Sequence, residues 1–563
     1  MDHQLMKIRT LLDKLASEEI QIPELQRKYV WKRKQIRNLL DSIYKDYPTG
    51  SILLWETDVD AELRDVAVTL QEQERSSRHF LLLDGQQRLT SLLTAIRGAP
   101  IRVKKGGKIK EEFVELLFNI DHPESVKKFS GDITDDDDEV EEDVEEDTEQ
   151  SFFQIKRKKF LNKPNWISIT ELFKDQSEII KNLPQDSKYS ERLNRITKLS
   201  KLEGTYDYTV VVLPKELTYE EVTDVFVRVN SSGAKLSSSD LALAQITSRW
   251  KGSLKIFEEF GNSCYEKNYD LSVNQLIKML ISISTGQNKF KIINTIPIDD
   301  LKSSWEVTKT AVNFTINFLK GNGQIESMKV IPTYYLLIPI VYIAKKENYE
   351  LSRKQSNLLV KWFFASAMWG RYSRGATETI LDDDLSTIKN NNDHIEKMID
   401  SVTKVRGGNL NVTPADLEGK NVKSPFFMLS YVLARQNHAK DWRTGNKVSL
   451  QSAGTEFKNE YDHVFPQAKL KPYLLKQYND ESKVNSLIND IANKAFLSKV
   501  SNIKKSAQTP DQYFPDVPKE DLTAQYITTD SSLWTIDRYE DFLEDRRKSL
   551  ADGINNLMNS LGS

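Results

Sequence analysis

Near its C-terminal end the sequence gathers residue types that hydrolyse phosphodiesters. The run EYDHVFPQ sets Asp462 beside His463; Asn493 follows, and nine residues later Asn502, then Lys504, Lys505 and Ser506. Phosphodiester hydrolysis needs a base for water, a cation on the phosphate and a stabilised leaving oxygen. A near-neutral imidazole suits the base, which makes His463 the candidate. A carboxylate and an amide oxygen suit a hard cation, so Asp462 and Asn502 are candidate ligands for Mg2+ or Mn2+, with water completing the shell. Lys504 and Lys505 are candidate DNA contacts. The single cysteine, Cys264, rules out a cysteine-built zinc site. A lone Asp-His pair is more often a strand end with a satisfied core histidine. The complete set, in order and with its Lys-Ser tail, favours chemistry.

A second constellation lies in the N-terminal half. HFLLLDGQQRLTSLLTAI passes from an apolar strand directly into a helix, with Asp84, Gly85, Gln86, Gln87, Arg88 and Thr90 at the junction. Such a turn offers backbone N–H groups and a helix N-terminus, both of which attract phosphate. Arg88 can pair with phosphate oxygens, and Asp84 can hold Mg2+ or orient water. Gln26 and Arg27, together with Arg228 and Asn230, extend the candidate nucleotide site, the arginines toward phosphate and the amides toward a base, a ribose or water. No GxxxxGK[ST] loop is present, so any NTP site is of another type. The plainer alternative is an ordinary strand-to-helix turn with Arg88 in a structural salt bridge.

The C-terminal set resembles the HNH nucleases, including the HNH domain of RNA-guided CRISPR effectors, in its Asp-His-hydrophobic-hydrophobic-Pro-Gln run, its Asn-Lys strand start and its second Asn before Lys-Ser. That resemblance implies a ββα-metal fold in which Asp462 and His463 end a strand, Asn502 sits on the helix and Asn493 pins the loop that aims the imidazole. The gap from His463 to Asn493 is longer than in compact members, so an inserted helix is expected within YLLKQYNDESKVNSLINDI. IPELQRKYVW, LLDGQQRLTSL and FVRVNSSGAKL together resemble the ParB/sulfiredoxin-like N-terminal domain of GmrSD-type modification-dependent (type IV) restriction endonucleases, in which that domain is joined to an HNH domain. The resemblance spans nearly the full length. It implies NTP binding and hydrolysis coupled to cleavage of double-stranded DNA, such as modified phage DNA. It leaves open whether the modification is a sugar on hydroxymethylcytosine or a backbone phosphorothioate.

The elements that must position these residues are legible in the hydrophobic pattern. Residues 4–16 read as a helix, IQIPELQRKYVW as a short strand and turn, and KRKQIRNLLDSIYKDYP as a helix burying Ile36, Leu39, Leu40 and Ile43. SILLWE, HFLLLD, VELLFNI and TYDYTVVVLP read as strands, and YEEVTDVFVRVNSSG as a helix ending near Gly233. From Ser253 to Asn409 the text is mostly helical, and Trp362, Phe363, Trp369 and Tyr372 form an aromatic stripe better suited to a core than to a ligand cage. RGGNLN, from Arg406 to Asn411, reads as a linker.

The whole chain fits this reading. Its 563 residues exceed one ordinary core, and 39% hydrophobic with 29% charged residues describes a water-soluble protein. No apolar run is long enough to span a bilayer, and MDHQLMKIRTLL carries no signal-peptide pattern, so a cytoplasmic chain without membrane association is expected. The net charge of −3 conceals a segment, Asp132 to Glu149, with thirteen carboxylates and no basic residue; without it the remainder carries +10. That segment reads as a solvated disordered insertion within 131–150.

The expected fold class is therefore α+β and multidomain. A ParB/sulfiredoxin-like α/β nucleotide-binding domain covers 1–250, a helical middle region 251–411 and an HNH nuclease domain 412–563. The expected activity is metal-dependent DNA cleavage regulated by NTP. Two alternatives are a nucleotide- or DNA-sensing module with an inactive HNH remnant, and a toxin that nicks its host's DNA. Association with further copies of the chain is left open.

Overall fold

A computed structural model describes residues 2–22, 29, 31, 33–57, 79–105, 108–122, 152–156, 160, 163–218, 221–223, 225–226, 229, 238–373, 375–450 and 459–562. The chain divides into two compact units, Met1–Leu254 and Lys255–Ser563.

The first unit is built on a five-stranded mixed sheet. β1 (Asp2–Lys7), β2 (Ile20–Gln21), β3 (Ile52–Thr57), β4 (His79–Asp84) and β10 (Asp207–Leu213) lie in the order β1-β10-β3-β4-β2. β10 runs parallel to β3 and antiparallel to β1, and β4 runs antiparallel to β3. Alternate residues serve two cores. Ile52, Leu54 and Leu82 pack with Ile8, Leu12, Ile36, Leu40 and Leu92 of three helices, while Leu53, Trp55, Leu81 and Leu83 pack with Val222, Phe226 and Ala244. A sheet covered on both faces explains why these strands read as continuous apolar runs.

The expected helix over 4–16 begins later. Asp2–Lys7 forms β1, paired with β10 from Asp2↔Val212 to Lys7↔Asp207, and the helix spans Ile8–Ala16. Its apolar face, Ile8, Leu11, Leu12 and Leu15, has helical spacing, whereas DHQLMK carries no such stripe and gains ladder hydrogen bonds instead.

A hairpin of β5 (Ile101–Lys105) and β6 (Lys108–Glu112) precedes a three-stranded sheet with β7 (Leu116–Asn119) at its centre, between β8 (Phe153–Ile155) and β9 (Trp166–Ser168). At its edge the rings of His122 and Phe152 stand 4.1 Å apart, and the Asn119 N–H donates to the Phe152 carbonyl at 2.9 Å. The acidic segment and most of YEEVTDVFVRVNSSG lie outside the described residues.

The second unit is mainly helical. Trp362 and Phe363 are fully buried on the helix Arg353–Met368, with Trp369 and Tyr372 buried just beyond it, so the aromatic stripe is core. Arg371 clasps Asp384 with Nε at 2.7 Å and Nη2 at 2.5 Å, and the Tyr372 hydroxyl donates to the same carboxylate at 2.5 Å. RGGNLN follows the helix His394–Val405 with left-handed backbone at Gly407 and Gly408.

The buried Glu326 carboxylate accepts from Tyr431 (2.9 Å), Arg435 (2.7 Å) and Ser449 (2.6 Å), while Val412 exchanges two hydrogen bonds with Asn555 on the helix Tyr539–Ser560. The helices before RGGNLN and the segment after it pack together within the second unit. Among the described residues, no helix is long and apolar enough to cross a membrane.

Candidate active site

β11 (Asn459–His463) and β12 (Lys494–Ser498) pair antiparallel, with His463 opposite Lys494 and Asp462 opposite Ala495. The helix Lys499–Lys505 follows at once, started by Ser498, whose hydroxyl accepts from the Ser501 N–H at 3.2 Å. The order is strand, strand, helix, with an insertion after β11. One inserted helix was expected; the structure has two, Gln467–Tyr478 and Glu481–Ile488, broken where Asn479 adopts a left-handed φ of 48°.

Two amides and a carboxylate brace this frame. Gln525 closes the outer edge of β12, accepting from the Phe496 N–H at 2.8 Å and donating to its carbonyl at 3.1 Å. The buried Asp441 accepts from the Ser498 N–H and the Ser501 hydroxyl, both at 2.6 Å, and so ties the helix start to a turn at 441–446. Asn493 is fully buried; its Oδ1 accepts from the Phe465 N–H at 2.8 Å, and its Nδ2 donates to the carbonyls of Phe465 (3.3 Å) and Ile488 (3.0 Å). Its own carbonyl accepts from the Val464 N–H at 2.8 Å. The peptides directly after His463 are thereby clamped, and the clamp also holds the far end of the two-helix insertion.

His463 ends β11, half-buried. Burial first, and then the neighbouring ammonium of Lys494, hold its pKa below the ordinary imidazole value, so the ring is neutral at pH 7. Lys494 Nζ lies 2.7 Å from His463 Nε2, and Asn489 Oδ1 lies 3.3 Å from the same nitrogen. Burial pushes Lys494 down to about 8, against the pull of Asp462 and with the push of Lys505, so it is still an ammonium at pH 7. His463 Nδ1 has no hydrogen-bond partner among the described residues.

Lys505 is only 6% exposed, its ammonium bonded to Asp462 Oδ2 and to the His463 carbonyl, each at 2.7 Å. In the structure it is a brace between helix and strand, with little of its surface exposed. Lys504 is exposed on the same helix. Asn502 stands one turn before Lys505 and shares its helix face, so Lys505 fixes which side of the helix meets Asp462. The Asn502 side chain and Asp462 Oδ1 carry no hydrogen bond among the described residues. No group of three His, Cys, Asp or Glu side chains suited to a metal occurs there either.

The turn at Asp84 has a different character. Gly85, with φ of 101°, starts the helix Gln86–Arg97 without a side-chain cap. Arg88 Nη2 bonds Asp84 Oδ2 at 2.8 Å and the Ser51 carbonyl at 2.6 Å, and Nη1 bonds the Thr49 carbonyl at 3.2 Å. A Cβ on Gly50 would meet Arg88 Nη1 at 2.4 Å, and one on Gly85 would meet Ile52 at 2.4 Å, so both glycines make room for this packing. The structural salt bridge is what the structure contains, and the guanidinium is already engaged by the protein. Gln87 Oε1 accepts from the Trp31 N–H at 3.2 Å, Thr90 is buried, and the Gln86 side chain carries no hydrogen bond among the described residues. Gln26, Arg27, Arg228 and Asn230 lie outside those residues.

Two family models match. The N-terminal domain of the GmrSD restriction endonuclease covers residues 8–247, and the C-terminal domain of the GmrSD restriction endonucleases covers 411–552. The chain belongs to this family. As a GmrSD-type restriction endonuclease, it is a nuclease whose substrate is DNA. An uncharacterized protein of Methanocaldococcus jannaschii is 23% identical over 564 residues, spanning 92% of this chain and 87% of its own length. The C-terminal match encloses the whole β11–β12–helix arrangement of this GmrSD chain, together with Asp441 and Asn489, which the sequence does not single out, and Lys494, which it marks only as the second residue of the Asn-Lys strand start. Alternation along NKAFLSK was a usable signal for Lys494, which faces His463 across the strands. For Asp441, 57 residues from Ser498, there was none.

Proposed function

We propose that this protein is a metal-dependent endonuclease of the HNH type, with His463 as general base. One observation carries the reading. The Asn493 clamp fixes the chain directly after His463, while three groups that hydrolysis needs, the imidazole Nδ1, Asp462 Oδ1 and the Asn502 amide, carry no hydrogen bond among the described residues. A buried polar clamp that satisfies its own atoms and spares its neighbours suits a site built for something else to bind.

The donor set fits a hard divalent cation that keeps most of its water, with Asp462 Oδ1 and the Asn502 amide oxygen as the protein ligands. Such an ion supplies charge to the phosphate and its departing oxygen. The chain's own groups do the rest. Neutral His463 takes a proton from water, a contribution of ~10²–10⁴-fold. Lys505 holds Asp462 and the His463 carbonyl in register. Exposed Lys504 meets the DNA backbone.

For the first unit we propose an NTP site at the start of Gln86–Arg97, which has no side-chain cap, using the backbone N–H groups of that first turn and the Gln86 amide; Arg88 shapes the turn from behind. NTP binding and hydrolysis there would regulate cutting of foreign, modified DNA, as an anti-phage defence.

The test is cleavage of plain and modified phage DNA with Mg2+, Mn2+ or EDTA, each NTP in turn, beside His463→Ala. Cutting is expected with Mg2+ or Mn2+, lost in EDTA and in the variant, which keeps its fold. Wild-type cutting by His463→Ala removes the HNH reading. No cutting of any DNA by the wild type leaves a DNA- or nucleotide-binding module.

A further inference from the structure

A neutral imidazole has one N–H and one lone pair, and only the nitrogen with the lone pair can take a proton from water. In this structure His463 Nε2 is the nitrogen in use. Lys494 Nζ approaches it to 2.7 Å, and an ammonium can only donate, so Nε2 supplies the lone pair and Nδ1 carries the hydrogen. The nitrogen without a partner is therefore the one that cannot act as base. Asn489 Oδ1, 3.3 Å from Nε2, is an acceptor facing an acceptor in this state; its own Nδ2 is committed to the Asn485 carbonyl at 3.0 Å. Two groups thus compete for one ring nitrogen, and they require opposite tautomers.

We propose that Lys494 is a positioning residue that holds His463 in the inactive tautomer until a phosphate draws its ammonium away. Nε2–H then donates to Asn489 and the Nδ1 lone pair faces the attacking water. In the exchange Nδ1 gives its proton to water and Nε2 takes one from water, so the ring stays neutral. The inference rests on His463 being the base, and it makes the chain's base available only where DNA lies against it. The cross-strand pairing of His463 with Lys494 and the buried stem of Lys494 keep the ammonium on the ring in the free protein. A phosphate offers a charge-assisted bond that a neutral imidazole does not match.

The experiment is 15N NMR of the full chain labelled in its six histidines, without metal, with His463→Ala assigning the resonance. In the free wild type, Nε2 is expected in the unprotonated range and Nδ1 in the protonated range. Lys494→Met should exchange the two, while Lys494→Arg, which still donates, should keep the wild-type pattern. A short DNA duplex should move the wild type toward the Lys494→Met pattern. A free wild type already protonated at Nε2, or a Lys494→Met spectrum unchanged from wild type, overturns the proposal. A duplex that binds without changing the His463 resonances also overturns it, because release by phosphate then fails. None of these readings needs DNA to be cut, so a protein that shows the expected spectra yet never cleaves would refute the nuclease reading alone.

Discussion

Two acid–base pairs tie a strand end to a helix, one in each unit, and they differ in use. Asp84 and Arg88 flank the turn into Gln86–Arg97, and the guanidinium also donates from Nη1 and Nη2 to the Thr49 and Ser51 carbonyls, while its buried Nε has no hydrogen-bond partner among the described residues. Asp462 and Lys505 join a strand end to the helix Lys499–Lys505, yet one carboxylate oxygen, the Asn502 amide and an imidazole nitrogen are left beside them. The first pair is a staple, its ion pair and both carbonyl bonds made within the chain. The second is a frame beside several groups with no hydrogen bond among the described residues. What separates scaffold from chemistry is which atoms are left over: a single buried N–H at the first junction, a carboxylate oxygen, an amide and an imidazole nitrogen at the second.

The comparison breaks most visibly at Asn493. Replacing it by Ala strands the Phe465 N–H and two carbonyls in the interior, costing about 3 kcal/mol. The freed loop misplaces His463, and DNA cutting per folded molecule should fall by roughly 10²-fold or more. Thermal unfolding with nicking assays on the surviving folded fraction checks both; full cutting would mean that the clamp does not aim the imidazole.

Arg88→Ala tests the staple. It should destabilise the first unit by about 2 kcal/mol, discounted for partial exposure, with the Gly50 and Gly85 turns loosening together. Hydrogen exchange around 47–53 and 84–88 reads this. Unchanged protection there, with NTP binding lost, would make Arg88 a ligand and the two junctions more alike than the geometry indicates.

Lys494 supplies a pH signature. Its folded pKa is near 8, below the usual lysine value, so between about pH 8 and 10.4 the unfolded chain holds a proton that the folded chain has released. Stability gains from this group as pH rises through that window, by at most roughly 3 kcal/mol. Lys494→Met should flatten the rise in a denaturant-midpoint series; an identical pH profile in variant and wild type would show an ordinary surface-like lysine.

The smallest effect belongs to Lys504. Its removal should weaken binding to every DNA alike and reduce the salt slope of affinity by about 0.9. Lys505→Ala should instead disturb Asp462 and cutting. Equal salt slopes lost from both lysines would contradict the distinction drawn between them.

Much of this was legible in the sequence because local pattern and global fold agree. HFLLLDGQQRLTSLLTAI is strand then helix, Ile36, Leu39, Leu40 and Ile43 share a buried helix face, and Trp362 and Phe363 are core. At the candidate site the order strand, strand, helix follows from DHVFP and NKAFLSKV. Long-range choices hid the rest. DHQLMK became a strand because β10 lay ready to pair with it, and no local propensity records that. The Lys505 ammonium is claimed by Asp462 and a carbonyl, which lie far from it in the sequence. Asp441 acts through a turn distant in sequence, and no local pattern records that.

The contact between His122 and Phe152 has a consequence for what the chain can acquire over time. Their rings touch at 4.1 Å, and the Asn119–Phe152 hydrogen bond closes the same point, so two positions separated by 29 residues of sequence are fastened together at a single stitch. Lengthening a connection whose ends are already fastened costs only about 0.6 kcal/mol per doubling. With its two ends fastened in this way, the connection tolerates changes of length as long as the stitch holds. A reporter domain with adjacent termini could be grafted there at little cost to the sheet beneath, and related chains are expected to differ from this one most sharply at that position.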